Sequence, residues 1–353
     1  MARHRDQGGL CEGERDLRGA PPRVPPRPGS LDVRVLVVGG AGYVGAPLVY
    51  RLWREGHEVT VLDLLLFGGE ALLPLEGAPR YRFVYGDLRD EALVDEVVPG
   101  HDAVVLLAAI VGEPASNADP EATRSTNLDG SRLVLDAARR HGVERFVFVS
   151  TCSNYGISDA DGPVAETAPL MPISPYSETK VAAEEFVLAA ADEGFHPTVL
   201  RLATAFGISP RMRFDLLVSD FTLAAVREGK IVIYGEQFWR PFVHVRDIAA
   251  AIDLVLASPP SRVSGEVFNV GREDNNLQKQ TLGELVRRLV PGTVLEFVER
   301  REDPRSYRVS FEKIERVLGY RAAWTVEDGI RELVPALRSG VFPNPDDPRY
   351  RNA

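Results

Sequence analysis

From residue 32 onward, short runs of apolar residues alternate with longer amphipathic stretches. The runs are rich in β-branched residues and continuous rather than alternating in polarity, as expected for strands buried on both faces of a sheet. They lie at residues 33–40, 59–65, 82–87, 102–109, 145–150 and 198–203. Helical periodicity separates them, for example at 43–54, 120–141 and 174–193. Because strand–helix alternation implies right-handed crossovers, the pattern predicts an α/β fold built on a doubly wound parallel sheet.

The alternation loosens after residue 203. A helix is predicted at 245–257 and a short strand at 267–271. Beyond 272 the chain has helical "TLGELVRRLV", strand-like "TVLEFVE" and two further helices. We interpret 32–202, completed by about 242–271, as a first domain, and 203–241 with 272–353 as a smaller interleaved α/β domain.

Composition narrows the class of protein. The 353 residues are 44% hydrophobic and 26% charged, which is ordinary for a globular protein. The sequence has no apolar run of about 18 residues, so no membrane span is expected. A net charge of −10 argues against a nucleic-acid surface. The two cysteines, Cys11 and Cys152, do not indicate a disulfide framework, and we expect a cytoplasmic protein.

Residues 1–31 differ from the rest of the chain. They are rich in Arg, Gly and Pro and lack the apolar centre of a secretory signal. We expect a disordered extension that takes no part in the chemistry.

The stretch "VLVVGGAGYVGAPL" places glycines between a predicted strand and a predicted helix. Gly39, Gly42 and Gly45 have the spacing GxxGxxG, and Gly40 with the last two gives GxGxxG. Such glycines permit a tight turn and close approach of the backbone to a pyrophosphate at a helix N-terminus. The alternative is a glycine-rich turn without a ligand.

Two carboxylates follow the next strands. Asp63 ends the second one, 18 residues after Gly45, where it can accept hydrogen bonds from ribose hydroxyls and repel a 2′-phosphate. No arginine follows it closely, which favours NAD over NADP. Asp87, after the third strand, could meet the adenine edge or cap its own loop.

In "SPYSETK", Ser174 is a good N-cap and Pro175 suits the first helical position. Tyr176 and Lys180 then lie one turn apart on one helix face. Taken alone, the spacing is also compatible with a solvated face that carries a chance pair.

The chain resembles an extended short-chain dehydrogenase/reductase of the NAD-dependent epimerase/dehydratase group, and is most similar to nucleotide-sugar 4-epimerases. The resemblance covers about residues 33–340. It depends on the pieces "GGAGYVG", "GDLRD", "LLAAIVG", "TNLDGS", "STCSNYG", "SPYSETK" and "RPFVHVRDIAAA" in this order. It implies a Rossmann-type NAD-binding domain, a C-terminal substrate-binding domain and a homodimer formed through helices 120–141 and 174–193.

The resemblance also implies the residues of the site. Tyr176 is the acid/base, Lys180 binds the nicotinamide ribose, and Thr151 hydrogen-bonds the reacting sugar oxygen. The implied cofactor-binding residues are Gly39, Gly42, Tyr43, Val44, Gly45, Asp63, Asp87, Leu88, Ala108, Ala109 and the helix-kink residue Asn127, with Tyr176 and Lys180. The implied substrate-binding residues are Thr151, Ser153, Thr204, Arg240 and Arg305, the two arginines facing phosphate.

To act as an acid/base catalyst near neutral pH, a tyrosine needs a pKa about 3 units below its usual value of about 10. A lysine ammonium about 5 Å away supplies roughly 3 kcal/mol at an effective dielectric constant of about 20. We therefore expect Lys180 and a positive nicotinamide ring to lower the pKa of Tyr176.

Dehydratases of this family have an Asp–Glu pair directly after the threonine, where this chain has Cys152 and Ser153. This difference disfavours dehydration.

Thr204 and Asn154 also depart from the family pattern near the expected substrate pocket. We read Cys152 as a small buried residue, His244 as a structural residue at a helix start, and the chain as lacking a metal site. The leading hypothesis is an NAD-dependent nucleotide-sugar 4-epimerase; the alternatives are a nucleotide-sugar or ketone oxidoreductase and a cofactor-sensing scaffold.

Overall fold

The computed structural model describes residues 33–157, 162–298 and 305–352. The extension expected at residues 1–31 lies outside this part of the chain. The strands are β1 (Arg34–Val38), β2 (Glu58–Asp63), β3 (Tyr81–Tyr85), β4 (Ala103–Leu106), β5 (Arg145–Thr151), β6 (His196–Leu202), β7 (Thr204–Phe206), β8 (Lys230–Tyr234), β9 (Trp239–His244), β10 (Glu266–Val270), β11 (Asn276–Gln278) and β12 (Val294–Val298).

The α-helices alternate with these strands along most of the chain. They are α1 (Gly45–Glu55), α2 (Glu91–Val97), α3 (Glu113–Ala118), α4 (Pro120–Arg124), α5 (Ser131–Arg140), α6 (Pro175–Ala189), α7 (Leu217–Glu228), α8 (Val245–Ala257), α9 (Pro260–Val263), α10 (Lys279–Leu289), α11 (Glu312–Leu318) and α12 (Val326–Arg338).

A parallel seven-stranded sheet with the order β10-β6-β5-β4-β1-β2-β3 forms the centre of the molecule. Helices α1 and α8 pack on one face, and α2, α5 and α6 pack on the other. The predicted Rossmann-type α/β fold is therefore confirmed. The strand order reverses between β1 and β4, and in such sheets the ligand crevice opens at the carboxyl ends of the strands at this point.

The later strands are divided between the large sheet and two small ones. Strand β10 joins the edge of the large sheet, whereas β11-β9-β7 and β12-β8 form separate sheets of three and two strands. These small sheets share a second core with α7, α10 and α12. On this distribution we propose the two-part organisation that the sequence suggests, with 203–241 and 272 onward forming the smaller part.

The helix expected at 120–141 is present and runs without a gap over 120–140. It consists of α4, a π-helical turn at Ser125–Gly130 that contains the expected helix-kink residue Asn127, and α5. Asn127 in that turn accepts a hydrogen bond from Ile110 N at 2.7 Å and donates one to Ile110 O at 2.9 Å. The side chain thus joins the helix to the loop after β4, and a π-turn fits this inserted tertiary contact.

A buried ion pair connects α6 to the sheet. Glu184 and Arg201 are only 2% and 5% exposed, and both Glu184 carboxylate oxygens accept bonds from the Arg201 guanidinium. Glu184 Oε1 also accepts bonds from Ser150 Oγ at 2.5 Å and Asn154 Nδ2 at 2.8 Å. Asn154 was expected near the substrate, but this network holds it in the interior with no exposed surface.

Removing one charge of this pair should be costly. We expect Glu184→Gln to lower the free energy of unfolding by about 3–5 kcal/mol, because Arg201 would remain buried without its counter-charge. Urea unfolding followed by circular dichroism measures the change. Glu327→Gln, which breaks the exposed pair with Arg331, is the matched control and should cost about 0.5 kcal/mol or less. Equal losses in the two variants would contradict this assignment.

Candidate cofactor and substrate site

A cleft of about 620 Å³ opens at the carboxyl ends of the parallel strands. Its wall combines the loops after β1, β2, β3 and β4 with the end of β5, the start of α6 and the segment between β7 and α7. Three side chains from later in the chain, Arg240, Arg305 and Tyr307, complete one part of it. The cleft is therefore shared between the large sheet and the smaller part of the molecule.

The glycine-rich turn forms the floor of this cleft beside β1. Gly39 has φ +91°, and a Cβ there would lie 2.5 Å from Ala108 N. A Cβ at Gly45 would lie 2.3 Å from Gly39 O, so this glycine lets α1 pack against the turn. A Cβ at Gly42 would meet only Gly39 O, at 3.5 Å, and would project into the space above the turn. Val44 precedes α1 without a side-chain cap among the described residues. Ala46 N already donates to Gly42 O at 3.0 Å, Leu48 N donates to Val44 O at 3.4 Å and Pro47 has no amide hydrogen, so α1 offers an anion mainly the positive end of its dipole.

Asp63 lies at the end of β2 as predicted. Its Oδ2 accepts a hydrogen bond from Ala41 N at 2.9 Å and its Oδ1 accepts one from Leu65 N at 2.8 Å. Burial raises the pKa of this carboxyl group, while the two amide bonds oppose the rise. The carboxylate thus faces the cleft next to the glycine-rich turn, in a position suited to ribose hydroxyls.

Asp87 is held by its own loop. Arg89 N donates to Asp87 Oδ1 at 2.9 Å and Arg89 Nη2 to Oδ2 at 2.6 Å, and these contacts hold its pKa below the usual range. The loop-capping alternative is therefore present, although Asp87 also lines the cleft. The other expected cofactor residues in the cleft wall are Tyr43, Val44, Leu88, Ala108 and Ala109. Asn127 is not in the wall: it is buried behind it and positions Ile110.

Tyr176, Thr151 and Lys180 come together where β5 ends and α6 begins. Ser174 and Ser177 form a capping box and Pro175 occupies the first turn of α6, as the sequence indicates. The Thr151 side chain is close enough to the Tyr176 phenol to lower its pKa. Lys180, one turn along, donates from Nζ to Val149 O at 2.8 Å and lies 4.6 Å from the Phe148 ring centroid.

The pKa values of the two ionisable residues shift in opposite directions. Burial raises the pKa of Tyr176 to about 12, opposed by the Thr151 side chain and by Arg213. Burial lowers the pKa of Lys180 to about 8, opposed by the Glu184 carboxylate. In the protein without cofactor, desolvation of the 8% exposed phenol outweighs the nearby cations. The expected lowering of the tyrosine pKa by Lys180 together with a positive nicotinamide ring stays a prediction.

The expected substrate residues Ser153, Thr204, Arg240 and Arg305 all line the cleft. Arg305 pairs through Nε with Glu113 Oε1 at 3.1 Å and donates from Nη1 to Ser153 Oγ at 3.3 Å. Arg240 donates to Trp239 O at 2.9 Å and to the Arg305 carbonyl. The second arginine therefore reaches the serine that stands two residues after Thr151.

Other side chains in the cleft wall were not anticipated from the sequence. They include Glu113, Arg211, Arg213, Asp215, Tyr307 and Asn352. The charged run "PRMRFD" inside an apolar region was the one available signal. The interpretation of His244 is confirmed, since it caps α8 through Arg246 N and lies 2.8 Å from Glu332 Oε1. Cys152 is buried, and burial raises its pKa well above the usual value.

The NAD dependent epimerase/dehydratase family model matches residues 35–271. The low-salt glycan biosynthesis protein Agl12 of Haloferax volcanii is 35% identical over 85% of this chain and 97% of its own length. The chain belongs to the NAD dependent epimerase/dehydratase family. Family membership confirms the resemblance and NAD as the cofactor.

Two solved structures from the family share the fold. The dTDP-glucose 4,6-dehydratase DesIV of Streptomyces venezuelae, solved with NAD bound, is 31% identical, with a TM-score of 0.77 over 87% of this chain and 97% of that one. The UDP-glucose 4-epimerase of Thermotoga maritima, solved with UDP-glucose, is 28% identical, with a TM-score of 0.78 over 87% and 99%. Both kinds of enzyme therefore occur among the relatives.

The residues in the cleft fit NAD. The open side of Gly42, the N-terminus of α1 and the carboxylate of Asp63 suit a diphosphate next to a ribose. Among the described residues, no group of three His, Cys, Asp or Glu side chains is placed to hold a metal ion. In the same part of the chain, the helices are too short or too polar to cross a membrane.

The two glycines predict separable effects. Gly42→Val should leave the stability of the NAD-free protein nearly unchanged and weaken NAD binding at least about tenfold, because its side chain would fill the space above the turn. Gly45→Val should instead destabilise the fold by about 1–3 kcal/mol or more through overpacking. Urea unfolding and calorimetric titration with NAD+ measure the two effects. A loss of stability in Gly42→Val without a change in NAD affinity would contradict the assignment.

Lys180 predicts a pH dependence of stability. Because its pKa falls from 10.5 to about 8 on folding, the unfolded chain binds more protons between these values. Its contribution to the free energy of unfolding therefore rises with pH in this window, by about 1.4 kcal/mol per unit. Urea unfolding at about pH 7.5 to 9.5 should show a steeper rise for the parent than for Lys180→Met. Lys230→Met, which removes an exposed lysine, should keep the parent's slope; identical slopes in all three proteins would refute the shift.

Proposed function

We propose that the protein is a nucleotide-sugar epimerase that inverts C4 through a transient 4-keto sugar. The observation that carries this proposal is the Thr151–Tyr176–Lys180 group with non-carboxylate neighbours. The residues that follow Thr151 are a buried thiol and a serine. Relatives named for dTDP-glucose and UDP-glucose support a nucleoside diphosphate sugar as substrate.

Tyr176 and Thr151 would act on the C4 hydroxyl group. Thr151 lies at the end of β5 and its Oγ1 accepts a hydrogen bond from Ser153 N at 3.0 Å, which fixes the hydroxyl beside the phenol. Tyr176 would take the proton of the substrate hydroxyl and return it after the sugar has turned over. Arg213 and Arg305 act against the burial of the phenol and favour its ionised form.

Bound NAD+ would supply the hydride acceptor for C4, and its positively charged ring would favour ionisation of the phenol. Lys180 would bind the nicotinamide ribose from its place beside Tyr176. Arg240 and Arg305 would hold the substrate diphosphate. Both arginines line the cleft, and two guanidinium groups can pair with the two phosphates. For Arg305, these contacts would exchange with the present contacts to Glu113 and Ser153.

Elimination of water is less well supported. It needs an acid and a base next to the sugar C5 and C6, and Cys152 is turned inward, where its Sγ lies 3.3 Å from Arg201 O. Ser153 Oγ contacts Arg305 and lies 3.5 Å from the Tyr307 hydroxyl. Glu113 does place a carboxylate nearby, but Arg305 neutralises it. No feature of the described cleft favours net oxidation or reduction of a nucleotide sugar or ketone over epimerisation.

The reaction can be identified by incubating the protein, loaded with NAD+, with UDP-, dTDP-, GDP- and CDP-sugars. We expect a C4-inverted product by NMR without accumulation of NADH. Tyr176→Phe should lower the rate by about 100- to 10,000-fold while binding NAD normally, because it removes the acid/base group and keeps the ring. Loss of one water from the product would identify a dehydratase, and a stoichiometric change in NADH would identify a net oxidoreductase. Turnover by Tyr176→Phe near the parent's rate would contradict the mechanism.

A further inference from the structure

The segment between β7 and α7 lies directly along the glycine-rich turn. Tyr43 donates from its hydroxyl to Gly207 O at 2.7 Å, and Ser209 Oγ donates to Tyr43 O at 2.8 Å. Two hydrogen bonds thus tie this segment to the residue that follows Gly42. The segment then carries Arg211 and Arg213 into the wall of the same cleft.

The two arginines differ in how their charge is balanced. Arg213 forms a fork with Asp215, with Nε to Oδ1 at 3.0 Å and Nη2 to Oδ2 at 2.5 Å. The direct contacts of Arg211 are with neutral groups instead: Nη2 donates to Asn352 Oδ1 at 2.6 Å and the guanidinium lies 4.0 Å from the Phe67 ring centroid. Among the described residues, no carboxylate forms an ion pair with it.

Arg211 is also incompletely satisfied. The residue is 5% exposed, and its buried Nε has no hydrogen-bond partner in the described part of the chain. An unpaired buried guanidinium is costly unless an anion joins it. The ring of Phe67 places the Arg211 guanidinium against the loop that follows Asp63, and Ser209 ties the same segment to the glycine-rich turn. Arg211 therefore lies in the part of the cleft wall between these two loops.

We propose that Arg211 is a cofactor-binding residue that donates to the diphosphate of NAD. Its guanidinium and the positive end of the α1 dipole would together balance the two negative charges of the diphosphate. The inference depends on the NAD site and not on which reaction the protein catalyses.

A second segment holds Arg211 in place. Asn352, which binds the guanidinium, donates from its own N to Asp215 Oδ2 at 3.3 Å. Phe214 N donates to Tyr350 O at 2.9 Å, and the two rings pack with centroids 5.5 Å apart. Residues 350–352 therefore brace the side of Arg211 that faces away from the glycine-rich turn.

The test compares Arg211→Met, Arg211→Lys and Arg349→Met by calorimetric titration of the full chain with NAD+. Arg211→Met should weaken NAD+ binding about 10- to 100-fold, the loss expected for one charge-assisted hydrogen bond. Arg211→Lys should be intermediate, since it keeps the charge and loses the fork. Arg349, an exposed arginine paired with Glu70, is the matched control and should change affinity less than about twofold.

Two further readouts separate this role from a structural one. Urea unfolding without NAD should find Arg211→Met at least as stable as the parent, because a buried unpaired charge is replaced by an apolar side chain. Titration with ADP-ribose should show the same loss as NAD+, whereas adenosine, which has no phosphate, should show none. If Arg211→Met fails to fold, Arg211→Lys and Asn352→Ala retain the comparison.

Several outcomes would overturn the proposal. If Arg211→Met lost affinity equally for adenosine and ADP-ribose, Arg211 would shape the pocket and would not bind the phosphates. A loss confined to NADP+ would assign it to a 2′-phosphate, and a loss confined to UDP or dTDP would assign it to the substrate. Because these are binding equilibria, they stand apart from the incubation with nucleotide sugars, and failure of one proposal leaves the other measurable.

Discussion

The carboxylate of Glu184 is the contact on which the site depends. It lies one turn beyond Lys180 on α6, and it binds Arg201 on β6 together with Ser150, which precedes Thr151 on β5. The helix that carries the tyrosine and the lysine is thus joined to the strand that carries the threonine. In the low-dielectric interior this network holds its geometry only while every member is paired. The same carboxylate is the charge that opposes deprotonation of Lys180.

Burial sets the electrostatic condition of the cleft. It raises the pKa of Tyr176 and lowers that of Lys180, although Lys180 stays mostly protonated below its pKa of about 8. The same effect lowers the pKa of Arg211 to about 10. A positive nicotinamide ring would favour the ionised form of Tyr176, and negative phosphates would favour the charged form of Arg211. Binding of the ligands and ionisation of these two groups would therefore be coupled.

Local patterns predicted the elements well, whereas features that depend on distant contacts were beyond such patterns. The continuous β-branched runs gave strands within a few residues of β1 to β6, and Ser174 with Pro175 indicated the start of α6, since caps act within one turn. The π-helical turn at Asn127, by contrast, depends on Ile110, seventeen residues earlier. No arginine follows Asp63 closely in the chain, yet the fold places Arg211 against Phe67 in the loop after that carboxylate. No periodicity encodes such a meeting, because it arises from the path of the segment between β7 and α7.

The two positions after Thr151 show how one scaffold can serve different reactions. Oxidation at a carbinol needs only an acid/base and a hydrogen-bond donor, and Tyr176 and Thr151 are placed by α6 and β5. The fate of the resulting keto sugar depends on whether a second acid and base can reach its neighbouring carbons. At Cys152 the side chain points into the core, and its raised pKa leaves it uncharged. In the proposed reaction, the keto sugar would therefore find no base for elimination at that position. It would instead be reduced again by return of the hydride.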